Sequence, residues 1–259
     1  MMNGFGIVGT GSFLPDDVVP NGTVAERAGV TDEWIVRKTG IRSRRYAADY
    51  EATSDLAVKA AEAALADAGV PARRLRWIVV ATSTPDHPQP ATACLVQHRI
   101  GAERAAAFDL NAVCTGFVFA LETATRLLSA GSGAGYALVI GADVYSRLID
   151  PTDRRTAVLF GDGAGAVVLG PVRPGRGVVG SHLATQGAHH RMIRVEAGAA
   201  ASQLRRRRSP TGCTTSRWTA GRSASLSSPR CRRRYAGCWG STVSRLRQST
   251  TSCRTRRTA

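Results

Sequence analysis

Acidic residues vanish from the end of this 259-residue chain. Between Ala199 and Ala259 there is no Asp, no Glu and no Lys, against 15 Arg. Taking those Arg from the total of 35 basic residues leaves 35 − 15 = 20 in residues 1–198, against all 19 acidic ones. The formal net charge of +16 therefore belongs to the tail, and a nucleic-acid surface spread over the chain is not expected. No run of about 18 apolar residues stands out, so no membrane-spanning helix is expected either. Met1 to Pro15 lacks the basic stretch and apolar core of a signal peptide, which makes the cytoplasm the expected compartment. Four of the six Cys (Cys213, Cys231, Cys238 and Cys253) fall in the tail without metal-ligand spacing or a neighbouring His. Cys94 and Cys114 fit a reducing compartment.

What is present in residues 1–198 is an alternation of strand-like and helix-like segments. Gly4–Thr10 is a short apolar strand. Thr53-Ser54-Asp55 opens a helix with Leu56, Ala57, Ala60, Ala64 and Leu65 on its apolar face, closed by Gly69. Arg76–Thr82 is a β-branched run of the kind buried on both faces of a sheet. Ala91–Ile100 reads as a helix, Ala106–Val113 as a strand, Thr115–Ala130 as a long apolar helix and Tyr136–Gly141 as a strand. Thr156–Phe160 and Ala166–Leu169 flank Gly161-Asp162-Gly163-Ala164-Gly165, which suggests a hairpin about a tight glycine turn. This order predicts an α/β protein with a mainly parallel sheet. No Lys-Ser/Thr pair follows the glycines, so they are not a phosphate loop. Gly9-Thr10-Gly11 is too short for a dinucleotide fingerprint.

The residues most suggestive of chemistry lie where the Ala106–Val113 strand meets the following helix. Cys114 falls at the helix start, where unpaired N–H groups and the helix dipole favour an anion such as a thiolate. The same N–H groups suit the oxyanion formed when a thioester carbonyl is attacked. A small buried hydrophobe is the alternative for Cys114, and it is the expected role of Cys94, set among Ala93, Leu95 and Val96. Asp109 and Asp162 invite a general-base role, but local hydrogen bonding is the expectation for both.

The segment FDLNAVCTGFVFAL around Cys114 resembles the nucleophile segment of the β-ketoacyl-acyl-carrier-protein synthase III family, within the thiolase superfamily. Thr31–Arg45, Val80–Ala93, Asp150–Thr156, Phe160–Leu169 and Gly180–His190 match further family segments in the family's order. The resemblance implies a thiolase-like fold. Residues 1–170 would form its N-terminal half and 171–200 the start of the second half, with 201–259 a disordered basic tail. It makes Cys114 the acyl-accepting nucleophile. Trp34 and Arg154 match the pair that sandwiches the adenine of coenzyme A, Thr39 matches a nearby contact, and Phe160 matches a residue lining the acyl channel. The substrates implied are an acyl-CoA and malonyl-acyl carrier protein, the assembly a homodimer, and no cofactor is held permanently.

One part of the resemblance fails. The family completes condensation with a His from a His-Gln-Ala-Asn segment and a later Asn, and His87, His98, His182, His189 and His190 lie in no such segment. The Asn is expected beyond the point where this sequence stops. Ser252–Thr258 can, however, be encoded so that the frame one base earlier reads Phe-Val-Pro-His-Gln-Ala-Asn, and Arg217–Ala220 likewise admits Met-Asp-Gly. A frameshift near Gly198–Leu204 would account for the Arg excess, the lost periodicity and the missing His together. An inactive truncated product, a basic nucleic-acid-binding arm on a dead scaffold, or a related acyltransferase are the alternatives.

Overall fold

A computed structural model of the chain describes residues 4–130, 135–173 and 175–195. In chain order they form β1 (Gly4–Phe13), β2 (Asp17–Pro20), α1 (Asn21–Ala28), α2 (Asp32–Thr39), β3 (Ser43–Tyr46), α3 (Thr53–Ala68), β4 (Leu75–Ala81) and α4 (Thr92–Arg99). There follow β5 (Ala106–Leu110), α5 (Gly116–Ala130), β6 (Tyr136–Val144) and β7 (Asp162–Val172).

Five strands make one sheet in the order β1-β7-β6-β4-β5, while β2 and β3 form a separate antiparallel ribbon. β4 is parallel to both β5 and β6, but β7 runs antiparallel to β6 and to β1. The sheet is therefore mixed, not mainly parallel as the sequence suggested. The reversal comes from the segment read as a hairpin. Thr156–Leu159 is turn, and the glycine-rich stretch is not a turn but the first half of β7, with Gly165 opposite Gly141 and Gly163 opposite Asp143. Glycines were mistaken for punctuation where they serve close approach: a Cβ on Gly163 would stand 3.0 Å from Leu14 Cδ2.

The period-2 pattern of the central strands explains the layering. Ile78, Val80, Leu138, Ile140 and Val168 face one side, where α3 and α4 cover them with Leu56, Ala60, Ala64, Ala93 and Val96. Val79, Val139, Val167 and Leu169 face the other, under Ala120, Ala124 and Leu128 of α5. Burying each large aliphatic stabilises the fold by about 1.5–3 kcal/mol. Helix ends follow local chemistry. Thr31 accepts the Trp34 N–H at 3.2 Å to start α2, and Asp55 reaches back to the Ala52 N–H at 2.6 Å to start α3.

One further expectation needs correcting. Cys94 is exposed, not core, because Ala93 and Val96 turn toward the sheet and leave it on the outer side of α4. Val113–Ala130 does have the length and the mean hydropathy (1.2) of a membrane span. It lies against the sheet instead, with Ala120 and Ala124 fully buried and an ion pair of Glu122 and Arg126 at 2.7 Å. Beyond Val172 the described residues hold one short helical turn, Gly187–His189, and a single bridge residue, Val195. The expected tail, residues 201–259, lies outside the described residues.

β1 crosses α3 in close backbone contact. A Cβ on Gly11 would collide with the backbone of Ala60 and Ala64, and one on Gly9 would come within 2.5 Å of Ala68. Gly11→Ala should therefore cost roughly 1–3 kcal/mol, the range for overpacking. Gly22→Ala, which meets nothing within 4 Å, should be neutral or slightly stabilising. Denaturant unfolding followed by tryptophan fluorescence compares them, and equal stability of the two variants would contradict this packing.

Candidate active site

The parallel run β5-β4-β6 places three chain reversals at one end of the sheet: the loop after Ala81, the turn after Leu110 and the turn after Val144. In open sheets this end is where ligands bind. The turn after β5 is sharp. Val113 has φ of 48°, a left-handed conformation that a β-branched residue adopts only when its surroundings impose it. Here the Asn111 side chain accepts the Val113 N–H at 3.2 Å, while the Thr115 N–H and hydroxyl donate to the Ala112 carbonyl at 3.2 and 2.9 Å. A Cβ on Gly116 would sit 3.3 Å from Ala81 Cβ, so the helix starts hard against β4. Cys114 thus stands exposed one turn ahead of α5.

Cys114 lines a cavity of about 310 Å³ with Gly141, Asp143, Tyr145, Phe160 and Gly163. Val113 and Tyr145 also border a neighbouring cavity of about 610 Å³, which reaches Ser83, Asn111 and Ile193. Phe160 stacks on Tyr145 with ring centroids 4.9 Å apart. Burial pushes the Tyr145 phenol above its usual range, as do the charges of Asp143 and Cys114, against a hydrogen bond to Ser83. Asp143 accepts the Ser83 N–H at 2.8 Å and the hydroxyls of Thr82 and Thr84 at 3.2 and 3.3 Å. Burial nonetheless raises its pKa. Neither Tyr145 nor Asp143 was singled out from the sequence. Their signal was their place just past the strand Tyr136–Gly141, at the same sheet end as Cys114.

The two acids that were singled out do structural work, as expected. Asp109 accepts the N–H groups of Thr92 and Ala93 at 2.7 and 2.8 Å, at the start of α4. Asp162 accepts from the Ala47 N–H (2.8 Å), the Ser146 N–H (2.8 Å) and the Ser146 hydroxyl (2.6 Å). Trp34 is half-buried against a cluster that includes Ile35, Ala157 and Val158, so α2 and the turn carrying Arg154 meet there. Arg154 is exposed, and its neighbour Arg155 pairs with Asp153 at 2.8 Å. The Thr39 hydroxyl donates to the Ile35 carbonyl at 2.8 Å and accepts the Ile41 N–H at 3.0 Å, locking the end of α2. Phe160 links the two regions, since it follows Val158 in the chain and lines the Cys114 cavity.

Comparison with known proteins bears on this arrangement directly. The model of the 3-oxoacyl-(acyl-carrier-protein) synthase III family matches residues 108–187. A synthase III structure from Aquifex aeolicus VF5 superposes with a TM-score of 0.72 at 36% identity, covering 78% of this chain and 67% of that one. The chain belongs to the β-ketoacyl-acyl-carrier-protein synthase III family. Among curated synthase III relatives, one from Bradyrhizobium diazoefficiens is 53% identical over 203 residues, covering 76% of this chain and 62% of its own length. A protein named acetoacetyl CoA synthase NphT7, from Streptomyces sp. (strain CL190), is 56% identical over 203 residues, covering 77% of this chain and 61% of its own. The chain thus spans a little over three-fifths of these synthase III relatives.

Asp143 yields a pH prediction for this fold. Because its folded pKa is raised, the folded state favours the protonated form. Stability is then fullest below the ordinary carboxyl range and falls as pH rises through it. Asp143→Asn keeps an oxygen for the same three donors and removes the buried charge. The variant should be at least as stable as the native chain near neutral pH and lose that advantage in acid, as read by urea unfolding across pH. A native chain that gains on the variant as pH rises would contradict the sign.

Proposed function

We propose that the family fold of this chain serves acyl transfer from an acyl-CoA to Cys114, the first half of a β-ketoacyl synthase reaction. The observation that carries this reading is the exposed Cys114 at the start of α5, opening on a cavity with Phe160 and Tyr145. In the first step the Cys114 sulfur attacks the thioester carbonyl carbon. The tetrahedral oxyanion collapses and expels CoA as its thiol, leaving an acyl group on Sγ. Helix N–H groups suit that oxyanion. Trp34 and Arg154 would hold the adenine between an indole face and a guanidinium, with Thr39 beside them and Phe160 against the acyl chain. No resident cofactor is needed for this chemistry.

In the second half-reaction malonyl-acyl carrier protein loses CO₂, and the resulting carbanion attacks the acyl-enzyme carbonyl, breaking its bond to Sγ, which leaves as the Cys114 thiolate and releases the β-ketoacyl-carrier protein. The family's His and Asn stabilise the enolate that forms on the way. The 259 residues hold no His-Gln-Ala-Asn segment, and we assign that loss to a frameshift near residue 200. The full reaction would start fatty-acid or polyketide chains in the cytoplasm as a homodimer. The likeness to a protein named acetoacetyl CoA synthase favours a second reading, in which the malonyl group and the product are carried on CoA.

Two measurements test this. The 259-residue chain and a frame-restored version are incubated with acyl-CoA and either malonyl-carrier protein or malonyl-CoA. Only the restored version should give the condensed product, because losing one oxyanion or enolate donor alone costs about a hundredfold to a thousandfold. Comparable condensation by both chains would contradict the frameshift, and the preferred malonyl donor decides between the two readings. In the restored protein, Trp34→Ala and Arg154→Ala should each weaken acyl-CoA binding by roughly 1–2 kcal/mol. Their KM for acyl-CoA should rise and that for the malonyl donor should not. Equal effects on both substrates would refute the adenine placement.

A further inference from the structure

Arg44 is a buried cation with no carboxylate paired to it among the described residues. It lies in β3 with 7% of its surface exposed. Its two terminal nitrogens donate to the carbonyls of Val19 at 3.5 Å and Val158 at 3.2 Å, and its Nε has no partner. Burial pulls its pKa down, and Tyr46 and Asp32 are the neighbours whose charges oppose this. Two neutral carbonyls are weak compensation for a desolvated guanidinium, so this arrangement costs stability. What it touches suggests why a guanidinium stands there.

Val19 belongs to β2, and Val158 to the turn that carries Arg154 and leads into Phe160. A Cβ built on Gly161 would lie 3.0 Å from Arg44 Cβ, so the backbone just after Phe160 rests on the Arg44 stem. Asp32 opens α2, two residues ahead of Trp34, and its carboxylate accepts from the buried Asn21 amide at 2.7 Å. Arg44 therefore contacts the 158–161 segment on both sides of Phe160, and its charge reaches the start of the helix that bears Trp34. The planar guanidinium spreads its donors over a rigid fork and reaches two carbonyls on separate segments at once; a lysine offers its donors from a single point.

Building on the adenine placement proposed above, we infer that Arg44 is a positioning residue for the nucleotide end of the acyl-CoA site. It fixes the Arg154–Phe160 turn against β2, with its charge beside the start of α2, without touching the ligand. A residue acting this way affects donors that carry the nucleotide and spares donors that lack it. The test follows Cys114 acylation in the full 259-residue chain by intact-protein mass, with acetyl-CoA and with acetyl-N-acetylcysteamine as donors. Free-CoA binding is measured alongside by calorimetry.

Arg44→Met keeps the stem under Gly161 and removes the fork. It should slow acylation by subsaturating acetyl-CoA about tenfold, the scale of losing one aligned cation–π contact. The rate with the short thioester should stay within about twofold of the native chain on the same reasoning. Arg44→Lys should show a smaller loss with the same donor selectivity, and it carries the test if the methionine variant does not fold. Equal losses with both donors, or no loss with either, would overturn the role of Arg44. Trp34→Ala serves as the reference for the reading beneath it. Selectivity in Trp34→Ala with none in Arg44→Met overturns Arg44 alone. A Trp34→Ala chain without selectivity, or a native chain that neither binds CoA nor acylates, overturns the adenine placement and Arg44 with it.

Discussion

The left-handed backbone at Val113 is the constraint on which the site depends. A valine with φ of 48° is held in a conformation costing about 1–3 kcal/mol, and the contacts that impose it come from every side. Asn111 and Thr115 close the turn with three hydrogen bonds. Gly116 presses α5 against Ala81, and the parallel register fixes Ala81 opposite both Leu110 and Gly141. The turn directs Cys114 away from the apolar core and toward the cavity of Phe160 and Tyr145. A relaxed turn would let the helix begin elsewhere, and the sulfur would lose its place at the sheet end.

Around that turn, buried and half-buried acids act as fasteners. Asp109 ties the start of α4 to β5, Asp162 ties β3 to the turn after β6, and Asp143 ties the loop after β4 to the end of β6. Each accepts backbone N–H groups that the chain reversals would otherwise leave unpaired, which is how a functional loop cluster is made rigid without regular structure. Asp143 differs in bordering the cavity of Cys114, where burial opposes its charge. Arg44 repeats the theme with the opposite sign, a cation fastening a turn through carbonyls.

Much of this was legible in the sequence where a segment is governed by its own pattern. The β-branched run of β4 and the Ala-rich face of α3 follow directly from local periodicity, and Cys114 at a strand-to-helix junction was visible as a chemical position. The errors came where tertiary contacts overrode local signals. Gly161, Gly163 and Gly165 look like a turn but lead into and run along β7, where strand pairing with β1 and β6 holds them extended and where Arg44 and Leu14 crowd the first two. Cys94 looks like core because its neighbours are apolar, yet helix geometry turns it outward. Asp143, Tyr145 and Arg44 carry no local signature. Their importance lies in partners 15 to 114 residues away, such as Tyr145 with Phe160 and Arg44 with Val158.

The central proposal is that the β5–α5 junction makes Cys114, and not Cys94, an acyl acceptor. Cys94 provides an internal comparison, since it is also exposed but sits on the outer side of α4, away from the cavity that Cys114 lines. The most direct measurement is peptide mapping by mass spectrometry after brief exposure of the native chain to a labelled acyl-CoA at limiting concentration. The account predicts the acyl mass on the peptide bearing Cys114, none on the peptide bearing Cys94, and loss of the adduct in Cys114→Ala. Equal labelling of both cysteines, or undiminished labelling in Cys114→Ala, would contradict it.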